Sequence, residues 1–134
     1  MEDNDNDMIT VSAIIGTFLV ERLLPNDGSI VEVLIRKAFQ EMSLDENQLR
    51  PAGSIYGFVN QPIREKGVIT LLITIGQSKQ TIIVMADFLV IAQSSAYNAI
   101  IGRPLMKKTN MVIVVYCLTV KFLTPIGIKY IRVD

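Results

Sequence analysis

Apolar and polar residues alternate in short blocks along this chain, and β-branched residues dominate the apolar ones. Residues 8–15 (MITVSAII) and 17–24 (TFLVERLL) are two such blocks separated by Gly16, a pattern that predicts a β-hairpin. Pro25-Asn26-Asp27-Gly28 then interrupts the pattern with strong turn chemistry. A short run, Val31 to Ile35, resumes it, and Arg36 to Met42 reads as one or two helical turns. Ser43 and Glu46 have capping-box spacing, which predicts a short helix starting at Ser43 and stopped by Pro51. Ile55 to Pro62 reads as the tip of a second hairpin, with Val68 to Ile75 as its returning arm.

After a polar turn at residues 76–79 comes the strongest strand of the chain, Thr81 to Ile91. Its one acid, Asp87, is expected on the solvent face. Ala99-Ile100-Ile101-Gly102 is short and apolar, and Arg103 to Thr109 predicts a short helix with Pro104 at its first position. Met111 to Phe122 and Ile128 to Val133 supply two or three closing strands. The fold class is therefore all-β with one or two short helices. At 134 residues the chain has the size of one domain, with 1–7 an acidic, flexible lead-in and 8–134 the domain proper. The strand-like end of the chain predicts a piece of a longer polypeptide.

Composition narrows the chemistry. Half of the residues are hydrophobic and 19% are charged, apolar enough to suggest that a partner covers part of the surface. No apolar run approaches the roughly 20 residues that would span a bilayer, so no membrane partner is expected. Thirteen basic and thirteen acidic residues cancel, whereas nucleic-acid binding draws on a positive field. Lys107-Lys108, an adjacent basic pair, reads as a solvated helix end. Single Cys117 excludes an internal disulfide and fits a reducing, intracellular, cytoplasmic setting; within its apolar run it reads as a buried, inert thiol.

The absence of histidine matters most. It excludes Ser-His-Asp triads, Cys-His pairs and histidine-based zinc sites, and no phosphate-binding glycine loop is present. No metal and no cofactor is expected. Unaided catalysis would fall to carboxylates, lysines or tyrosines.

One ordered set of segments meets that requirement. A strand leads to Asn26-Asp27-Gly28-Ser29, then to Glu32-Val33-Leu34 and Lys37-Ala38-Phe39. Gln48-Leu49-Arg50-Pro51, Tyr56-Gly57-Phe58 and residues 66–71 (KGVITL) follow. Asp87-Phe88-Leu89-Val90, the run Ser95 to Pro104 and residues 121–127 (KFLTPIG) complete the set. In this order and spacing the chain resembles the retropepsin-like aspartic protease domain of LTR-retrotransposon polyproteins, in particular the gypsy class of plants, over nearly everything from Ile9 to Asp134.

The resemblance implies a closed β-barrel that is one lobe of an aspartic protease. Two copies would form the enzyme, each giving one aspartate to a dyad that hydrolyses peptide bonds of a polyprotein. Tyr56, Gly57, Phe58, Val59 and Asn60 would belong to the flap over the bound peptide. Ile100, Ile101, Gly102 and Arg103 would form the second signature, packed behind the catalytic turn, with Arg103 paired to an acid for which Glu32 is the candidate.

The family's turn reads Asp-x-Gly-Ser-Ser. Aligned on Glu32-Val33-Leu34, its aspartate falls on Asn26, its variable position on Asp27, and its glycine and first serine on Gly28 and Ser29; the second serine is Ile30, and Pro25 replaces an apolar residue. Asp27 lies one residue, about 3.8 Å, out of place. The expectation is a degenerate aspartic-type endopeptidase with little or no activity as written. The alternative is a non-catalytic, dimerising β-module that keeps the protease fold and its peptide groove.

Overall fold

The computed structural model describes residues 9–52, 65–77, 79–114 and 119–132. The expected flap residues Tyr56 to Asn60 lie outside them, as does Cys117.

The chain starts as the hairpin that its alternation predicts. β1 (Val11–Ile15) and β2 (Phe18–Pro25) pair antiparallel across Gly16, whose φ of 63° suits a residue without a side chain. A register shift opposite Val11 to Ala13 marks a bulge, and Arg22 within it adopts a left-handed φ of 60°. β3 (Glu32–Ile35) runs straight into α1 (Arg36–Glu41). β4 (Glu65–Gln77) and β5 (Gln80–Ile91) form a long antiparallel ribbon, and β6 (Ala99–Ile101) precedes α2 (Arg103–Thr109).

These strands close into a six-stranded barrel in the order β1-β2-β6-β3-β5-β4, with β1 and β4 completing the circle. β6 lies between β2 and β3, parallel to the first and antiparallel to the second. The segment joining β2 to β3 therefore has to cross the end of β6, and this segment is residues 26–31. β7 (Val112–Val114), β8 (Thr119–Thr124) and β9 (Gly127–Arg132) make a separate antiparallel sheet.

Burial follows the strand period. Ile15, Leu23, Leu34, Ile73, Ile75, Phe88 and Ile101 fill the main core with Phe39 of α1 and Phe122 of β8. β3 is buried on both faces, which accounts for the apolar run Val33-Leu34-Ile35 within it. Val33 and Ile35 join Val31, Val68, Leu89 and Ile91 in a second cluster, while Leu34 faces the main one. Full burial of one such aliphatic side chain stabilises by about 1.5–3 kcal/mol.

One expected helix start moves. Ser43 takes a φ of 58° and its N–H bonds to the Gln40 carbonyl, so it closes α1. The capping box forms two residues later: the Asp45 carboxylate accepts from the Asn47 N–H at 2.9 Å, and the Gln48 side chain accepts from the Asp45 N–H at 2.9 Å. Only a 3₁₀ turn, Glu46–Gln48, follows it. Asp87 sits on the solvent face as expected, beside the Thr70 hydroxyl and 3.7 Å from the Arg50 guanidinium.

Candidate active-site loop

β2 ends at buried Pro25, and the next N–H, of Asn26, donates to the Ile101 carbonyl of β6 at 2.8 Å. The chain then reverses: the Ser29 N–H donates to the Asn26 carbonyl at 3.0 Å, closing a four-residue turn. Inside it, the Asn26 side-chain oxygen accepts the Gly28 N–H at 2.9 Å. Ser29 steadies the exit, its hydroxyl donating to the Val31 carbonyl at 2.6 Å.

The second signature holds the turn from behind. The Arg103 N–H donates to the Ser29 carbonyl at 2.8 Å, and the Arg103 guanidinium donates through Nε to the Asp27 carbonyl at 3.1 Å. Gly102 packs so tightly that a Cβ there would lie 2.2 Å from the Val31 carbonyl oxygen and 3.0 Å from that of Ser29. Close backbone approach, rather than an unusual φ, requires glycine at this position.

Glu32 plays a different part from the one expected of it. It is 4% exposed, and its carboxylate accepts the N–H groups of Gly102 and Leu105, each at 3.0 Å. It thereby ties β3 to the first turn of α2 and satisfies donors that have no partner within the helix. Arg103 is exposed and binds the turn instead of Glu32, so the expected pair gives way to two separate clamps. Burial pushes the Glu32 carboxyl above its ordinary value, partly offset by the Leu105 and Gly102 amides and by nearby Lys108. Buried carboxyls are often functional candidates, but the hydrogen bonds of Glu32 show a structural tie.

Asn26 and Asp27 part company. The Asn26 side chain folds over its own turn onto the Gly28 N–H. Asp27 lines a cavity of about 300 Å³ with Arg103, Met106, Lys107, Asn110, Met111 and Val112, and Asn26 is not among the lining residues. The structure thus brings Asn26, Gly28, Ser29, Ile101, Gly102 and Arg103 together in one knot. Ile100 packs instead against the second apolar cluster. An amide at Asn26 fills the hydrogen-bonding role at Gly28 but has no titratable proton for acid–base work.

Sequence reasoning missed a strap across this region. The Arg22 guanidinium donates to the Ala96 carbonyl at 2.7 Å and lies 5.3 Å from the centre of the Tyr97 ring. Asn98 donates from its side chain to the Glu21 carbonyl at 2.6 Å and from its N–H to the Arg22 carbonyl at 3.0 Å, while its carbonyl accepts from Ile35 at 3.0 Å. Asn98 therefore links β2 and β3, the two strands that carry the turn. Arg22 makes these contacts from a left-handed backbone, φ 60°, that nothing in the sequence announces.

A six-stranded closed barrel with a turn spanning β6 and a short helix behind it is a retropepsin-like fold. Two solved structures share it. The retroviral protease-like domain of Ddi1 from Leishmania major superposes with a TM-score of 0.65 at 17% identity, covering 93% of this chain and 94% of that one. A retropepsin-like aspartic protease from Rickettsia conorii gives a TM-score of 0.61 at 14% identity, covering 83% and 79%. No protein-family model matches the sequence, and no curated protein matches it.

Proposed function

We propose that this chain is the aspartic endopeptidase domain of a retrotransposon-type polyprotein in which the catalytic acid has been lost. It works, or once worked, as a homodimer on peptide or polyprotein substrates. Asn26 occupies the place of the dyad aspartate in each copy.

The observation that carries this reading is the turn itself. Its backbone bonds, its glycine and its serine are in place, Gly102 and Arg103 hold it, and the side chain on Gly28 is an amide. In a working dyad two close carboxylates share one proton, so one can take a proton from water while the other donates to the scissile carbonyl. Two Asn26 amides can do neither. Asp27 cannot substitute from where it stands, because a displacement of roughly 1 Å already costs about a hundredfold in rate.

Asn26→Asp tests the reading. The native chain should leave an apolar-centred peptide intact, and the variant should cleave it, blocked by a transition-state analogue for aspartic proteases. A silent variant would extend the lesion to Pro25 or Ile30. Efficient native cleavage would contradict the reading.

A second reading has one observation in its favour: the Asn26 amide satisfies the turn completely at Gly28. A non-catalytic, dimerising β-module would need nothing more from this position. It predicts a folded dimer with no hydrolysis, even in Asn26→Asp.

A further inference from the structure

The turn at residues 26–29 does more to the Asn26 amide than hold it in place. The side-chain oxygen accepts the Gly28 N–H at 2.9 Å; only the oxygen of an amide can accept, so this bond fixes which way the group points. Among the described residues, the amide nitrogen on the other side donates to nothing. The backbone nitrogen of Asp27, the next along the chain, is also without a hydrogen bond among them. The carbonyl of the same peptide group, that of Asn26, accepts the Ser29 N–H at 3.0 Å. Asn26, Asp27 and Gly28 are all exposed to water.

These are the conditions under which an asparagine loses its amide. The Asp27 nitrogen gives its proton to water and forms a bond to Cγ of Asn26, and the carbonyl electrons move onto Oδ1. The tetrahedral carbon then collapses, and the side-chain nitrogen leaves as ammonia from a succinimide. Water opens the imide. Breaking the new Cγ–N bond restores the peptide and leaves a carboxylic acid, which is aspartate; breaking the other carbonyl–nitrogen bond gives isoaspartate. One water enters, one ammonia leaves, and nothing is oxidised or reduced.

Each contact of the turn serves a step. The Gly28 N–H is aimed at the oxygen on which negative charge develops. The Ser29 N–H draws electron density from the peptide group that has to give up a proton. The unbonded amide nitrogen leaves without breaking a contact.

We propose that Asn26 is a self-modification site at which the turn converts the amide to aspartate, so that the chain gains its dyad carboxylate after synthesis; this rests on Asn26 being the dyad position. The freshly made chain is silent, and activity follows conversion.

Other asparagines of the fold lack this combination. Asn98 is half-buried, and its amide nitrogen is held by the Glu21 carbonyl at 2.6 Å. The amide nitrogen of Asn47 donates to the Asp45 carboxylate at 3.4 Å. Among the described residues, no donor holds the side-chain oxygen of Asn110.

The test is peptide mapping by mass spectrometry on the full chain, fresh and after ageing in mildly alkaline buffer. The peptide bearing Asn26 should become about 1 Da heavier as amide turns to acid, with aspartate and isoaspartate separated by chromatography. Peptides bearing Asn47, Asn98 and Asn110 should keep their mass over the same period. Asp27→Pro should abolish the shift, because proline has no N–H to attack with. The second residue of a turn suits proline, and Asp27 has a negative φ and no backbone bond to lose. Far-UV circular dichroism checks that this variant folds. Asp27→Gly, which clears the side chain from the attacking nitrogen, should convert faster than the native chain and decides the matter if the proline variant does not fold. An Asn26 that keeps its amide, isoaspartate as the sole product, conversion undiminished in folded Asp27→Pro, or no acceleration in Asp27→Gly overturns the proposal.

Activity separates this failure from failure of the dyad reading. The aged chain should cleave the peptide that Asn26→Asp cleaves, in proportion to its converted fraction. If Asn26→Asp is active while the aged chain keeps its amide, only the proposal made here falls. If the converted chain and Asn26→Asp are both silent, the dyad reading falls, and the gain of activity proposed here falls with it.

Discussion

Gly102→Ala measures how tightly the second signature is packed against the turn. The backbone at Gly102, φ −94° and ψ −174°, is ordinary extended chain that alanine adopts freely. Any cost must therefore come from the added methyl. Its carbon would stand 2.2 Å from the Val31 carbonyl oxygen, 2.7 Å from the Val31 carbonyl carbon and 3.0 Å from the Ser29 oxygen. A comfortable carbon–oxygen contact is about 3.3 Å or more, so residues 29–31 have to retreat by roughly 1 Å. Overpacking of this kind costs about 1–3 kcal/mol.

The retreat also stretches the Gly102-to-Glu32 and Arg103-to-Ser29 hydrogen bonds, each worth about 1 kcal/mol or more. Reduced freedom of the unfolded chain returns about 0.4–1 kcal/mol. The net loss is about 3 kcal/mol, or a fall in melting temperature of about 10 °C for a domain of this size. Differential scanning calorimetry reads it, with Gly16→Ala as the comparison. At Gly16 nothing lies within 4 Å of an added Cβ and only the left-handed φ is penalised, by about 1–2 kcal/mol. If Gly102→Ala melts no lower than Gly16→Ala, the close packing described here is wrong.

Three further outcomes are expected. Because burial raises the Glu32 pKa, its contribution to stability is full below the ordinary carboxylate value and is lost as pH rises through the raised one. The melting temperature of Glu32→Gln relative to native should accordingly be more favourable at pH 7 than near pH 4, and the opposite trend would refute the assignment. Arg22→Gly should be more stable than Arg22→Ala by about 1 kcal/mol, since both lose the Ala96 and Tyr97 contacts but only alanine keeps the cost of φ 60°; denaturant melts that rank them the other way would count against a left-handed Arg22. Phe39→Ala, at a side chain with no exposure, should lose about 3–5 kcal/mol in the same melts, and a loss below about 1 kcal/mol would contradict its place in the core.

Features fixed by near neighbours were legible in the sequence. Gly16 and the alternation around it yield the β1–β2 hairpin, and Pro104 marks the start of α2. Asn26-Asp27-Gly28-Ser29 forms the turn its residue types demand. Features settled across the fold were not legible. The parallel pairings of β3 with β5 and β2 with β6 join segments more than fifty residues apart, and nothing local distinguishes them from hairpin strands. Ser43 has the right spacing for a cap, but the end of α1 claims it first. Glu32 looks like a partner for Arg103 by charge alone. In the fold, the unpaired amides at the start of α2 lie within its reach, and Arg103 is drawn to the turn.

Hydrolysis by three variants side by side tests the central claim that Asn26, and not Asp27, holds the catalytic position. The native chain and Asp27→Asn should both be inactive on an apolar-centred peptide. Asn26→Asp, alone or combined with Asp27→Asn, should gain at least about a hundredfold, the lower range for a positioned acid–base group. Native cleavage that is abolished by Asp27→Asn would place the working acid at Asp27 and contradict the account.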